Sequence, residues 1–365
     1  MKILDFLATP EAVSQRTGPH DTIVLSSRVR LARNLTDCPF PGHAKKADRV
    51  RSYDLLMPLV AEIPQMGPTP FAEGLEKLAA LDKQILVERH LISRELAAKS
   101  GGSGLILNKE ESFSVMVNEE DHLRMQSLRP GLQLKQAWLA LDALDTALQE
   151  RVQFAFSEQH GYLTACPTNL GTGIRVSAML HLPGLVLAEH INQIIQAVNK
   201  LGLAVRGLYG EGTEALGNIF QVSNQQTLGE SESEIVERLN KVALQIIEAE
   251  QNARAAQLEK KPRQLFNQIG RAFGALSQAH VIASKETMNQ LSLLRLGVDL
   301  GMFEGVSKAR VDELFLISQP WHLQASHPEK LDAEQRDALR AELLRNRMRQ
   351  FPSPDHTKVV VPKPA

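Results

Sequence analysis

The sequence predicts an α+β protein: strands and helices intermingle up to about residue 225, and helices alone follow. Three observations predict it. Strand-like segments recur at 21–31, 174–181, 203–211 and 219–223, and 174–181 alternates strictly, the period of a half-buried strand. Amphipathic helical spacing lies between them, at 133–158 and 187–201. From Ser231 to Gln350 the spacing is helical throughout, with joints at Pro262, 297–305 and Gln319-Pro320.

The chain of 365 residues has room for two domains. Its net charge of −1 gives no electrostatic footprint for nucleic acid or an anionic membrane. The two cysteines, Cys38 and Cys166, form no CxxC pair, so neither a disulfide scaffold nor a cysteine zinc site is supported. No apolar run approaches the roughly 20 residues of a membrane span. The opening MKILDFLATPEAV carries acids and lacks a signal-peptide core. These features predict a cytoplasmic protein with no nucleic-acid or membrane partner.

Residues 1–20 read as a short leader. In the strand that follows, Thr22, Val24, Ser26, Arg28 and Arg30 share one face, and Ile23, Leu25, Ser27, Val29 and Leu31 share the other. A solvated edge strand would also carry such charges. Residues 36–80 alternate helix with Pro and Gly breaks, and 84–92 is an apolar segment whose His90 reads, on its own, as structural. The SGGSG joint at 100–104 precedes a strand at 105–108.

Residues 111–125, read as one extended strand, put Asn118, Glu120, His122 and Arg124 on one face, with Phe113, Val115, Val117 and Leu123 opposite. The adjacent acids Glu119, Glu120 and Asp121 either face solvent in a turn or hold something cationic. A helix at 133–158 leads to a short strand, 161–165, ending at Cys166 and the permissive turn PTNLGTG. The next strand buries Ile174, Val176, Ala178 and Leu180 and projects Arg175, Ser177, Met179 and His181. Taken alone, an ordinary hairpin with a buried cysteine and a solvated arginine satisfies this stretch equally. Residues 203–211 add Arg206 and Glu211. Ser231 with Glu234 forms a capping box that opens a long helix, and Asp332 with Gln335 caps the last one. The tail 351–365, rich in Pro and Lys, is expected to be disordered.

The polar faces therefore supply Arg28, Arg30, Arg124, Arg175 and Arg206, with Glu120, Glu211 and Cys166. Converging guanidiniums call for a polyanion between them, and a nucleoside triphosphate fits because arginine grips phosphate oxygens in pairs. No GxxxxGK[ST] loop and no HRD or DFG set is present, so neither a P-loop NTPase nor an ordinary protein kinase is supported.

The motifs SSRVRLARN, NEEDHLRMQ, CPTNLGTG and RGLYGEG, in that order, resemble the guanidino (phosphagen) kinases. Within them the chain is most similar to the bacterial protein-arginine kinases, from Asp21 to about Arg349. The resemblance implies an antiparallel, glutamine-synthetase-like sheet of about eight strands flanked by helices, over 21–258. A helical domain for dimerisation and phosphoarginine binding follows at 259–350. It also implies ATP and Mg²⁺, the metal held by phosphate oxygens and water with no protein metal site. Ser26, Ser27, Arg28, Val29 and Arg30 match nucleotide-binding segments, as do Arg124, the run Arg175, Val176, Ser177, Ala178 and Met179, and the run Arg206, Gly207, Leu208, Tyr209, Gly210 and Glu211. His90 matches a further nucleotide contact. Glu120 matches the catalytic base, while Glu211 and Cys166 match positions that hold the substrate guanidinium.

A guanidinium has no free lone pair at neutral pH, so a carboxylate must take its proton as the N–P bond forms. Small-molecule phosphagen kinases carry a helical domain before the SSRVR-like segment; here Ser26 lies near the start of the chain, which suits an arginine presented by another protein. In the last helix, Arg336, Asp337, Arg340 and Ala341 match an RDxxRA motif that the resemblance assigns to an allosteric phosphoarginine pocket. Taken alone, a surface helix with ordinary Asp–Arg pairs satisfies the same residues. The resemblance implies protein substrates, and with them a zinc-finger activator, a Clp-type protease and a homodimer. A minimal kinase of free arginine and an inactive phosphoarginine-binding adaptor are the alternatives.

Overall fold

The structure, a computed structural model, describes residues 17–207 and 215–360. The expectations placed on residues 1–16, on Leu208, Tyr209, Gly210 and Glu211, and on 361–365 lie outside the described residues.

In chain order the elements are β1 (Val24–Arg33), α1 (Lys46–Ala61), β2 (Phe71–Gly74), α2 (Ala80–Glu88), α3 (Arg94–Ala97), β3 (Gly104–Leu107), β4 (Phe113–Val117), β5 (Leu123–Pro130), α4 (Leu134–Gln149), β6 (Phe156–Ser157), β7 (Gly161–Tyr162), β8 (Ile174–His181), α5 (Pro183–Leu187), α6 (Ile191–Lys200), β9 (Leu203–Gly207) and β10 (Ile219–Asn224). The helices α7 (Glu232–Lys260), α8 (Pro262–Gln278), α9 (Ser284–Asp299), α10 (Lys308–Ile317), α11 (Pro320–Ala325) and α12 (Ala333–Met348) follow without a strand. Among the described residues one sheet has eight strands in the order β2-β3-β4-β5-β1-β8-β10-β9. The pairings β2–β3, β3–β4, β4–β5 and β1–β5 are antiparallel.

Four expected elements change. Residues 111–125 form a hairpin, not a single strand, because Asn118 turns the chain in the left-handed region (φ 56°); an asparagine tolerates that region. The helix expected at 133–158 ends at Gln149, where Ala155 N–H is drawn to Asn34 C=O at 2.7 Å. The strand expected at 161–165 is only Gly161–Tyr162, paired with Phe156–Ser157. The helix expected at 187–201 is two, parted at Glu189 (φ 60°).

Two compact units emerge, each assembled from three stretches of chain. The first takes 26–178 and 223–240, with 17–19. One of its apolar clusters joins Phe71, Leu75, Leu86, Leu91, Leu105, Leu107 and Met116. The second takes 20–25, 179–222 and the chain from Lys241. Its helical core gathers Leu265, Ile269, Leu291, Leu294, Val311, Leu314, Leu344 and Phe351. The expected division at 258 falls inside the second unit. The described part of the tail is ordered, where disorder was expected: Phe351 is buried, Asp355 N–H donates to Met302 C=O at 2.8 Å, and Val360 N–H donates to Leu300 C=O at 2.9 Å.

Candidate active site

The β1–β5 register sets Arg28 opposite Leu128, Arg30 opposite Gln126 and Ala32 opposite Arg124. Directly opposed residues share a face, so Arg28, Arg30 and Arg124 lie on one side of the sheet. Arg175 leaves the neighbouring strand β8 close enough to repel them. Burial, then the charges of Arg124 and Arg175, lower the Arg28 pKa to about 10. Burial and the charges of Arg28, Arg124 and Arg175 drive Arg30 down as well, against a small opposing pull from Glu119. The Nε of Arg30 is buried without a hydrogen-bond partner. A buried guanidinium donor that finds no acceptor costs free energy, so the cluster is built to receive anionic oxygens. His90, at φ 58° just beyond α2, is held neutral: burial and then Arg28 bring its pKa to about 4.

The hairpin turn between β4 and β5 separates its acids by role. Glu119 is buried; Arg124 Nη1 donates to both its oxygens, at 2.6 and 2.8 Å, and the Ser93 hydroxyl donates to Oε1. Burial raises its pKa, but Arg124 and these hydrogen bonds carry it below the ordinary value. Glu120 is exposed. Partial burial, then the charges of Asp121 and Glu119, push its carboxyl above the ordinary value. Of the three adjacent acids it alone faces solvent.

Asp121 is an anchor. Its Oδ1 accepts from Asn34 Nδ2 at 2.6 Å and from Ala165 N–H at 2.7 Å. Asn34 Oδ1 in turn accepts from His122 N–H at 2.9 Å, and Asn34 Nδ2 also donates to Leu163 C=O at 3.1 Å. The acid turn and the Cys166 loop are thus fastened to the end of β1. Cys166 is half-buried, with Sγ 3.0 Å from Thr168 Oγ1. The loop's glycines meet their neighbours closely: Gly171 (φ 107°) and Gly173 (φ 66°) would drive a Cβ to 2.4 Å from Thr227 O and 2.7 Å from Ala32 O. Asn118 Nδ2 pins the other side of the turn, donating to Arg49 C=O at 2.8 Å and Gly102 C=O at 2.7 Å.

The matched nucleotide segments divide by face. Ser26, Arg28 and Arg30 alternate with Ser27 and Val29, which are fully buried; the Ser27 hydroxyl donates to Gly131 C=O at 2.7 Å and accepts from Gln133 N–H at 2.9 Å. Val176 and Ala178 are likewise core. Those four turn their side chains into the core, away from any ligand on the arginine face. Ser177 is buried on the Arg175 face. Met179 is half-buried, and Arg206 and Gly207 end β9, all three in the second unit. Sequence reasoning missed Asn34, Ser93, Asn118 and Asp121 as the residues that hold this site. Asn34 closes the SSRVRLARN motif and Asp121 the NEED run, and that was the available signal.

In α12 Arg340 is buried, donating from Nε to Ser318 C=O at 2.8 Å and from Nη1 to Ile282 C=O at 2.9 Å, and pairing with Asp337. The Asp337 carboxylate is therefore already engaged by Arg340. Arg336, half-buried, donates to Leu331 C=O at 2.7 Å, and Ala341 is core.

The described residues contain no group of three His, Cys, Asp or Glu side chains able to hold a metal ion. No described helix is long and apolar enough to cross a membrane.

An antiparallel sheet with arginines on one face and a solvent-facing glutamate at a strand turn defines a guanidino-kinase catalytic unit. Two family models agree: "ATP:guanido phosphotransferase, C-terminal catalytic domain" matches residues 72–253, and "Protein-arginine kinase McsB C-terminal domain" matches 262–359. The chain is 46% identical over 337 residues to the protein-arginine kinase of Bacillus subtilis (strain 168), covering 92% of each. It is 45% identical over 342 residues to that of Desulforamulus reducens, covering 92% of this chain and 94% of the relative. A lombricine kinase crystal structure shares the fold, with TM-score 0.55 and 24% identity over 67% of this chain and 71% of that one. The chain belongs to the protein-arginine kinase (McsB) family of the ATP:guanido phosphotransferases.

Proposed function

We propose that the protein transfers the γ-phosphoryl group of ATP to arginine side chains of other proteins. The observation that carries this reading is the division between adjacent acids. Glu119 is spent on Arg124, whereas Glu120 stands exposed with a raised pKa. A carboxylate of raised pKa is the better proton acceptor.

In the proposed reaction Arg28, Arg30, Arg124 and Arg175 hold the triphosphate, and His90 contacts the nucleotide as a neutral ring. Glu120 takes a proton from the incoming guanidinium; its nitrogen bonds to the γ-phosphorus as the bond to the bridging oxygen breaks and ADP leaves. Cys166 and Glu211 hold the guanidinium. Mg²⁺ would arrive on phosphate oxygens and supply charge neutralisation there.

Incubation with ATP, Mg²⁺ and either casein or free arginine tests the reading. Acid-labile phosphate on casein alone is expected. Transfer to free arginine alone would favour a small-molecule kinase, and no transfer at all an inactive adaptor. Glu120→Gln should lower kcat by roughly 10²–10⁴-fold with nucleotide binding retained; undiminished turnover would remove Glu120 as the base.

Family membership also supports finer proposals. These are a cytoplasmic location, a homodimer, a zinc-finger activator and delivery of marked proteins to a Clp-type protease. Phosphoarginine binding at Arg336, Asp337, Arg340 and Ala341 is a proposal too. It requires Asp337 and Arg340 to exchange their mutual pair for the ligand's guanidinium and phosphate.

A further inference from the structure

A pocket of about 210 Å³ opens beside the loop that carries Cys166. Phe156, Tyr162 and Leu228 supply its apolar wall, Glu230 and Glu232 its charge, and neither lysine nor arginine lines it. Phe156 and Leu228 are 58% and 55% exposed, which puts them among the most exposed large apolar side chains of the described residues. Scattered apolar residues on a surface need no explanation, but two facing one pocket with an acid do. The Phe156 and Tyr162 rings meet edge to face at 5.2 Å, and the buried Arg33 guanidinium backs the Tyr162 ring at 3.5 Å. Glu230 is paired with Arg238 at 2.7 Å. Glu232 has no ion-pair partner among the described residues. Its place in the first turn of α7 suits a carboxylate, but that does not account for Phe156 and Leu228.

The pocket is within reach of the reacting groups. Tyr162 N–H donates to Gly171 C=O at 2.7 Å, so both legs of the loop 163–170 rise from the pocket's rim. Cys166 follows Tyr162 by four residues, a contour of at most about 15 Å at 3.8 Å per step. Ala165, within that span, is tied to Asp121, the neighbour of Glu120. An extended polypeptide covers such a distance in about four or five residues.

We propose that this pocket receives a lysine or arginine side chain of the polypeptide substrate, within about five residues of the arginine that is phosphorylated. The stem lies along Phe156 and Leu228, and the cation meets Glu232 and the open aromatic face. The proposal rests on the protein-substrate reading above and adds a specificity determinant to it.

The test uses the full chain and synthetic peptides that carry one arginine, with Lys, Ala or Glu placed singly at each of the five flanking positions on either side. The wild type should prefer Lys to Glu at one of these positions by about tenfold in KM, the scale of an exposed cation–π contact plus an ion pair. Glu232→Lys should reverse that preference at the same position. Phe156→Ala with Leu228→Ser should raise KM for the Lys peptide several-fold, with kcat and nucleotide affinity unchanged. If the double variant fails to fold, the charge-reversal arm decides alone. Peptides phosphorylated with equal KM whatever the flanking residue, and no reversal by Glu232→Lys, would overturn the pocket and leave the protein-arginine reading intact. Phosphorylation of free arginine but of no peptide would overturn both.

Discussion

His122 shows how one side chain ties the acid turn to pH. Its Nδ1 accepts the Leu35 N–H at 3.3 Å, and its ring meets Phe40 edge-on at 6.2 Å. Burial lowers its pKa from 6.5 to about 4, against a smaller opposing effect of the hydrogen bond to Pro39. Above pH 6.5 the ring is neutral folded or unfolded, and its contribution to stability is complete. Between 6.5 and about 4 the unfolded chain binds a proton that the folded one refuses, so stability falls with pH; below about 4 the loss stops. The loss amounts to about 3 kcal/mol at most. His122→Gln should flatten the pH dependence of thermal stability in that window by about one proton. Equal slopes in wild type and variant would refute the assignment. Nothing in HLRM announces this role, because a histidine's burial depends on the partner that covers it. The arginines were legible because alternation is local: Arg28 and Arg30 share a face wherever β1 is extended.

At the scale of elements, the sequence named the acid turn and the Cys166 loop but not what joins them. The apolar–polar alternation continues in the sequence straight through Asn118, where a left-handed residue ends the strand. The joining role of Asp121 and Asn34 was not legible, because their hydrogen bonds cross 44 to 129 positions of chain. That joint predicts a positioning effect. Asp121→Ala frees the Ala165 N–H and the Asn34 amide, and misplaces Cys166 against Glu120. It should lower kcat/KM for a peptide arginine by roughly 10–10²-fold and leave nucleotide affinity unchanged. Asp121→Asn keeps Oδ1 as an acceptor for Ala165 and should recover most of the loss. A purely structural role would instead reduce nucleotide affinity and thermal stability in proportion, with no separation between the two variants.

On the scale of the whole molecule, the second unit draws together segments from both sides of residue 258. A buried chain of alternating charge runs through it. Glu250 accepts Gly184 and Leu185 N–H, each at 2.8 Å, and pairs with Arg254 at 2.7 Å. Arg254 also reaches Asp299 at 3.2 Å; Asp299 pairs with Arg295, and Arg295 with Asp312 at 2.8 Å. Arg295 donates to Asp21 C=O at 3.1 Å, and Lys308 pairs with the Asp21 carboxylate. Segments 20–25, 179–222 and the chain from Lys241 are thereby one body. No hydrophobic period in the sequence signals this, because the links are single charges far apart. Burying charges is expensive, and removing one partner exposes that expense in full. Asp299 serves two guanidiniums, so Asp299→Ala should cost about 3–5 kcal/mol of unfolding free energy. Asp299→Asn, which keeps an acceptor but not the charge, should cost less. Urea unfolding of the full chain checks both. A loss below about 1 kcal/mol, the scale of a solvated surface pair, would mean that water screens these charges and that apolar packing alone unites the unit.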